Sequence, residues 1–127
     1  MNKLNVFSNK DGFGRLSKNI VYFFDNLRYA KQRITRGFAE CDTWDFNSYL
    51  KKLFADGLVY LADNLLSYPE RYGSAENWEK ELKRVASLVR KLDEIYLEND
   101  CFEDDEYGAI KNEVLEWMRN NFDDLWD

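Results

Sequence analysis

No histidine occurs in this chain of 127 residues. Its absence removes the side chain most used as a general base near neutral pH and the commonest transition-metal ligand. A di-iron carboxylate bundle, which needs Glu-x-x-His pairs, is excluded with it. Two cysteines, Cys41 and Cys101, are too few to build a zinc site alone. Both stand beside acids, which raise a thiol's pKa, and no histidine is present to activate either thiol or any serine. One proline and six glycines argue against a turn-rich all-β fold. Gly12-Phe13-Gly14 lacks the further glycine and the preceding strand of a phosphate-binding loop. No run approaches the roughly eighteen apolar residues needed to span a bilayer. Residues 1–10 hold no apolar stretch of the signal-peptide kind. The expectation is therefore a cytoplasmic chain with free thiols, one disulfide between Cys41 and Cys101 being the other pairing open to it.

Aromatics are abundant instead, at nine Phe, eight Tyr and four Trp, and the chain is 45 % apolar. That composition fills a core, and the length is that of one domain. The apolar residues recur at steps of three and four, which predicts helices. Residues 1–16 read as an irregular arm. A first helix over 17–36 has Ser17 as cap. Its stripe is Ile20, Val21, Phe23, Phe24, Leu27, Ala30 and Ile34, and Gly37 follows at C′. A second, over 45–66, is capped by Thr43 or Asp45 and carries Phe46, Tyr49, Leu50, Leu53, Phe54, Leu58, Leu61 and Leu65, with Gly57 read as a close helix crossing or a mild kink. Pro69 stops it. A third, over 75–97, is capped by Ser74 and lined by Trp78, Leu82, Val85, Leu88, Val89, Leu92, Ile95 and Tyr96. A fourth, over 105–126, is capped by Asp104 or Asp105 and buries Tyr107, Ile110, Val114, Trp117 and Phe122. Four amphipathic helices with short connections predict an all-α, antiparallel, bundle-like domain.

The charge is unevenly distributed. From Glu98 onward eleven acids face only Lys111 and Arg119, whereas the preceding residues hold thirteen acids and sixteen bases. The acids that should face outward at this end are Glu103, Asp104, Asp105, Glu106, Glu113, Glu116, Asp123 and Asp124. Acids three apart can share a metal on one helical face. A magnesium-dependent nucleotide pyrophosphohydrolase-like site would use Glu76, Glu79, Glu113 and Glu116. Such pairs occur here at about the frequency of chance, so no metal or other cofactor is expected. Arg28, Lys31, Arg33 and Arg36 cluster near the end of the first helix, where they suit its dipole. The net charge of −6 opposes direct binding to a polyanion, and pairing with the chain's own acidic third is the simpler use of these bases. Trp78 and Trp117 belong to core stripes. Trp44 precedes a cap as a hydrophobic staple would. Trp126 either pins the end of the chain or anchors a partner.

The run from Arg36 to Leu50 (Arg-Gly-Phe-Ala-Glu-Cys-Asp-Thr-Trp-Asp-Phe-Asn-Ser-Tyr-Leu) resembles a segment of small bacteriophage and prophage proteins. Those proteins open a helix after a glycine and a short acidic turn. A Tyr-Pro loop and an acid-Trp-acid helix start come next, here Ser67-Tyr68-Pro69 and Glu76-Asn77-Trp78-Glu79. The resemblance covers residues 33–95 and implies an accessory protein of a bacterial host's cytoplasm. It carries over no catalytic residue. The expected activity is protein binding and not catalysis, with the acidic end imitating nucleic acid to occupy a basic site on a host or defence protein. Neither a membrane nor nucleic acid is an expected partner, and the aromatics leave room for a homodimer face. An assembly role without a target for the acidic face is the structural alternative.

Overall fold

A computed structural model describes residues 12–99 and 105–126. All of its regular structure is helical: α1 (Gly12–Arg36), α2 (Phe46–Asp63), α3 (Ala75–Asn99) and α4 (Asp105–Asn121), with short 3-10 turns at Glu40–Thr43, Glu70–Tyr72 and Phe122–Asp124. The chain divides into two compact units, one up to Phe46 and one from Asn47 onward.

The first unit is α1 and the turn after it. The helix is already running at Gly12, so Ser17 is not its cap and the irregular arm does not extend to residue 16; residues 1–11 lie outside the described residues. A glycine costs only about 1 kcal/mol in a helix, less than an amphipathic segment recovers by continuing its turns. Gly37 closes α1 at φ 83° and donates its N–H to the Arg33 carbonyl at 2.9 Å, the left-handed termination that glycine permits. The turn that follows is bound back onto the helix. Arg33 grips both oxygens of Asp42, at 2.6 and 3.1 Å, and the Ala39 N–H donates to Asp42 Oδ2 at 2.7 Å. Gln32 accepts the Glu40 N–H at 2.8 Å, and Arg28 pairs with Glu40 at 2.8 Å. Arg28 and Arg33 of the basic cluster thus find carboxylates nine to twelve residues away, within their own unit. Trp44 is exposed and packs edge-on to Tyr29, with ring centroids 6.4 Å apart; its aromatic partner sits on α1 and not in the next turn.

The second unit is built on α3. Ion pairs Lys51–Asp93, Asp56–Arg90 (3.1 Å) and Asp63–Lys83 (2.8 Å) run in opposite sequence directions along α2 and α3, so these helices are antiparallel. Glu113–Arg84 (2.5 Å) and Glu106–Lys91 do the same for α4 and α3. Trp78, Leu82, Val85, Val89, Leu92 and Ile95 are all buried, together with Ala55, Leu58 and Ala62 of α2 and Tyr107, Ile110, Val114 and Trp117 of α4. Trp78 and Trp117 stack with centroids 5.9 Å apart, and Tyr72 tilts onto Trp78 at 4.5 Å. Ser74 caps α3 by accepting the Asn77 N–H at 3.2 Å.

α2 ends at Asp63, three residues short of the predicted stop, where Asn64 turns its side chain back to the Tyr60 carbonyl at 2.8 Å. α4 ends at Asn121, not at residue 126. Beyond it the chain tightens into a 3-10 turn, which takes Phe122 off the helical stripe and leaves it 66 % exposed instead of buried. Asn121 fixes this end. Its side chain accepts from Arg71 (2.6 Å) and Tyr72 (2.5 Å) and donates to the Trp117 carbonyl (2.8 Å). No helix of the described residues is long and apolar enough to cross a membrane.

Candidate protein-binding groove

The acidic end is exposed, but most of its described charges already have partners in the chain. Glu113 meets Arg84, which also holds Glu81 at 2.9 Å. Glu106 meets Lys91, Asp124 meets Arg71, and Glu116 lies 3.7 Å from Arg119. The paired carboxylates raise the guanidinium pKa of Arg84 and of Arg71. Glu81 accepts from the Trp117 indole at 2.9 Å, and its pKa falls, chiefly because Arg84 hydrogen-bonds the ionised form. Asp105 and Asp123 are exposed as well. Glu103 and Asp104 lie outside the described residues, as does Cys101, so its distance from Cys41 does too; Cys41 is a free thiol. Among the described residues no three Cys, Asp or Glu side chains come together as a metal would require. Of the carboxylates weighed for magnesium, Glu79 salt-bridges Lys83 at 2.7 Å and Glu113 salt-bridges Arg84.

The larger feature is apolar. α2 and α4 flank α3 on separate sides, and between them a groove of about 910 Å³ opens in the second unit. Its α2 wall carries Leu50, Leu53, Phe54, Leu58, Tyr60 and Leu61; its α4 wall carries Val114, Leu115 and Met118; Val89 and Leu92 of α3 form the base, and Leu125 and Trp126 close one end. Leu53, Tyr60, Leu115 and Trp126 are each more than half exposed. Of the polar side chains that line it, Lys51 pairs with Asp93 and Asn64 bonds the Tyr60 carbonyl, while Asn47 and Lys111 border it as well. The remaining lining is predominantly apolar.

Gly57 lines this groove, and a Cβ built there would meet nothing within 4 Å. The close helix crossing expected at this glycine is therefore absent; the space above it is open. Sequence periodicity marked Leu50, Leu53 and Leu61 as apolar but sent them all to a core. What would have revealed a groove is the breadth of the α2 stripe, which is wider than one neighbouring helix covers.

Comparison with family models, with curated proteins and with solved structures found no match.

Proposed function

We propose that the protein acts by binding another protein through the groove between α2 and α4, and that the element it takes is an amphipathic helix with basic residues on its polar face. The carrying observation is the open, apolar groove with a glycine on its surface. A mid-helix glycine costs about 1 kcal/mol against alanine, and no neighbour in the chain needs the space it leaves. A helix laid in a groove uses anchors at i, i+3/i+4 and i+7, and the walls offer apolar side chains along most of α2. The surplus acids of the second unit, nineteen against ten bases from Asn47 onward, favour a basic partner by long-range attraction. The resemblance of residues 33–95 supports a phage- or prophage-type accessory protein working in a bacterial cytoplasm.

Selection from a displayed library of helical peptides tests the reading. The expected binders are amphipathic, carry bases opposite an apolar face, and lose binding to a Gly57→Arg variant. Binders that hold Gly57→Arg as tightly as the parent would refute the groove as the site.

A second reading keeps the acidic end as the contact, occupying a basic, nucleic-acid-binding site of a host protein. The exposure of Asp105, Glu116 and Asp123 favours it. It requires that changing these three to Lys abolish a salt-sensitive partner while Gly57→Arg leaves that partner bound.

A further inference from the structure

The chain itself contains a segment with the chemistry the groove selects. α1 is strongly amphipathic, and its apolar stripe lies open: Ile20 is 48 %, Phe23 60 %, Phe24 63 % and Leu27 51 % exposed. These four stand at i, i+3, i+4 and i+7, the spacing by which a helix anchors in a groove. Isolated large apolar side chains on a surface need no explanation, but a contiguous stripe of this size marks an interface. Four half-exposed anchors of this kind hold about 400 Å² of apolar surface, by the areas typical of such side chains.

The two surfaces match in length, chemistry and charge. From Ile20 to Ile34 the stripe runs about 21 Å, and from Asn47 to Asn64 the groove wall runs about 25 Å, at the helical rise per residue. Both are apolar. α1 carries six bases (Arg15, Lys18, Arg28, Lys31, Arg33, Arg36) against Asp25 alone, whereas the unit bearing the groove is acidic. Gly57 gives an incoming helix room to approach the α2 backbone.

We infer that the protein pairs with a second copy of itself, α1 of each copy lying in the α2–α4 groove of the other. Each copy offers one stripe and one groove, so a two-fold pair satisfies both sets of surfaces in the isologous manner of most homodimers. Two such contacts, with both faces counted, remove about 1,300 Å² from water, within the range of specific stable interfaces. The inference rests on the groove being a helix-binding site and adds the identity of the occupant.

The test is complementation, read by sedimentation velocity on the full chain at about 100 µM, where a dimer of micromolar affinity is fully formed. Gly57→Arg spoils the groove, and Phe23→Asp with Phe24→Asp spoils the stripe; circular dichroism checks that each variant keeps its helices. The parent is expected to be dimeric. Because a variant homodimer loses a hot spot in both of its contacts, each variant alone is expected to weaken the dimer about 1,000-fold and to sediment as a monomer at this concentration. A 1:1 mixture of the two variants is expected to regain a heterodimer, because one intact stripe then meets one intact groove. A monomeric parent overturns the inference, as does either variant remaining dimeric alone or a mixture that stays monomeric. A synthetic peptide of residues 12–36 separates the two claims. If the parent is monomeric but selected library helices still bind in a Gly57-dependent way, the groove stands and only its occupant is wrong. If neither those helices nor the peptide binds, both fall.

Discussion

At the scale of single residues, Trp78 and Asp42 decide most. Trp78 is buried between Tyr72 and Trp117, with Leu82 and Val85 along the same face of α3. Truncating it removes a large apolar surface and leaves a cavity that stacked rings cannot collapse to fill. Trp78→Ala should lower stability by about 3–5 kcal/mol, read by urea unfolding; a midpoint near that of the parent would remove Trp78 from the core. Asp42 is the buried acid of the first unit, and the Arg33 guanidinium and then the Ala39 N–H hold its pKa below the ordinary value of 3.8. A depressed carboxyl pKa gives stability that is present above 3.8 and lost as pH falls through the folded value. The Ala39 amide should therefore exchange slowly at pH 5 to 6 and lose protection as the medium is acidified below about 3.8. In Asp42→Asn it should be poorly protected throughout. Unchanged protection in the variant would show that the turn holds without this carboxylate.

At the scale of elements, α3 and α2 behave differently. α3 has neighbours on both flanks, so most of its stripe is buried and only Leu88 and Tyr96 stay partly open. α2 is covered on one side only, and half of its stripe becomes the wall of the groove. Gly57 belongs to that open half. With free space above it, Gly57→Ala should raise stability by up to about 1 kcal/mol, measured by thermal or urea unfolding. A loss instead would mean that α2 bends at this point in a way only glycine allows. On α4, Glu113 makes an exposed pair with Arg84. Glu113→Gln should change stability by less than about 1 kcal/mol, so a larger loss of binding in that variant would report a contact with a partner and not a fault in the fold.

At the scale of the whole molecule the controlling quantity is the division of charge. Residues up to Phe46 hold eight bases and five acids, and those from Asn47 onward hold ten and nineteen. If copies associate through unlike units, raising salt from about 0.01 to 0.15 M shortens the screening length from about 30 to 8 Å and slows association. The association rate should fall with salt while the dissociation rate, set by apolar burial, changes less. Equal salt effects on both rates, measured by stopped-flow mixing of labelled copies, would place the charges inside the contact instead of around it.

The helical class, the C′ glycine of α1, the Ser74 cap and the α3 stripe could be read from the chain, because each depends on residues within a few positions of one another. The Trp78–Trp117 stack was legible to the extent that both residues sat on core stripes. Which stripes would be covered was not legible. Periodicity says that one face of a helix is apolar; it does not say whether another element lies against that face. So Phe23, Phe24, Leu53 and Phe122 read as core and are exposed, and Gly57 read as a crossing and faces open space. The acidic third was plain as composition, yet its pairing with Lys91, Arg84 and Arg71 was not, since those partners lie 15, 29 and 53 positions away. Local propensity and capping are properties of the sequence. The coverage of a face and the neutralisation of a charge are properties of what packs beside it, and these only the tertiary structure decided.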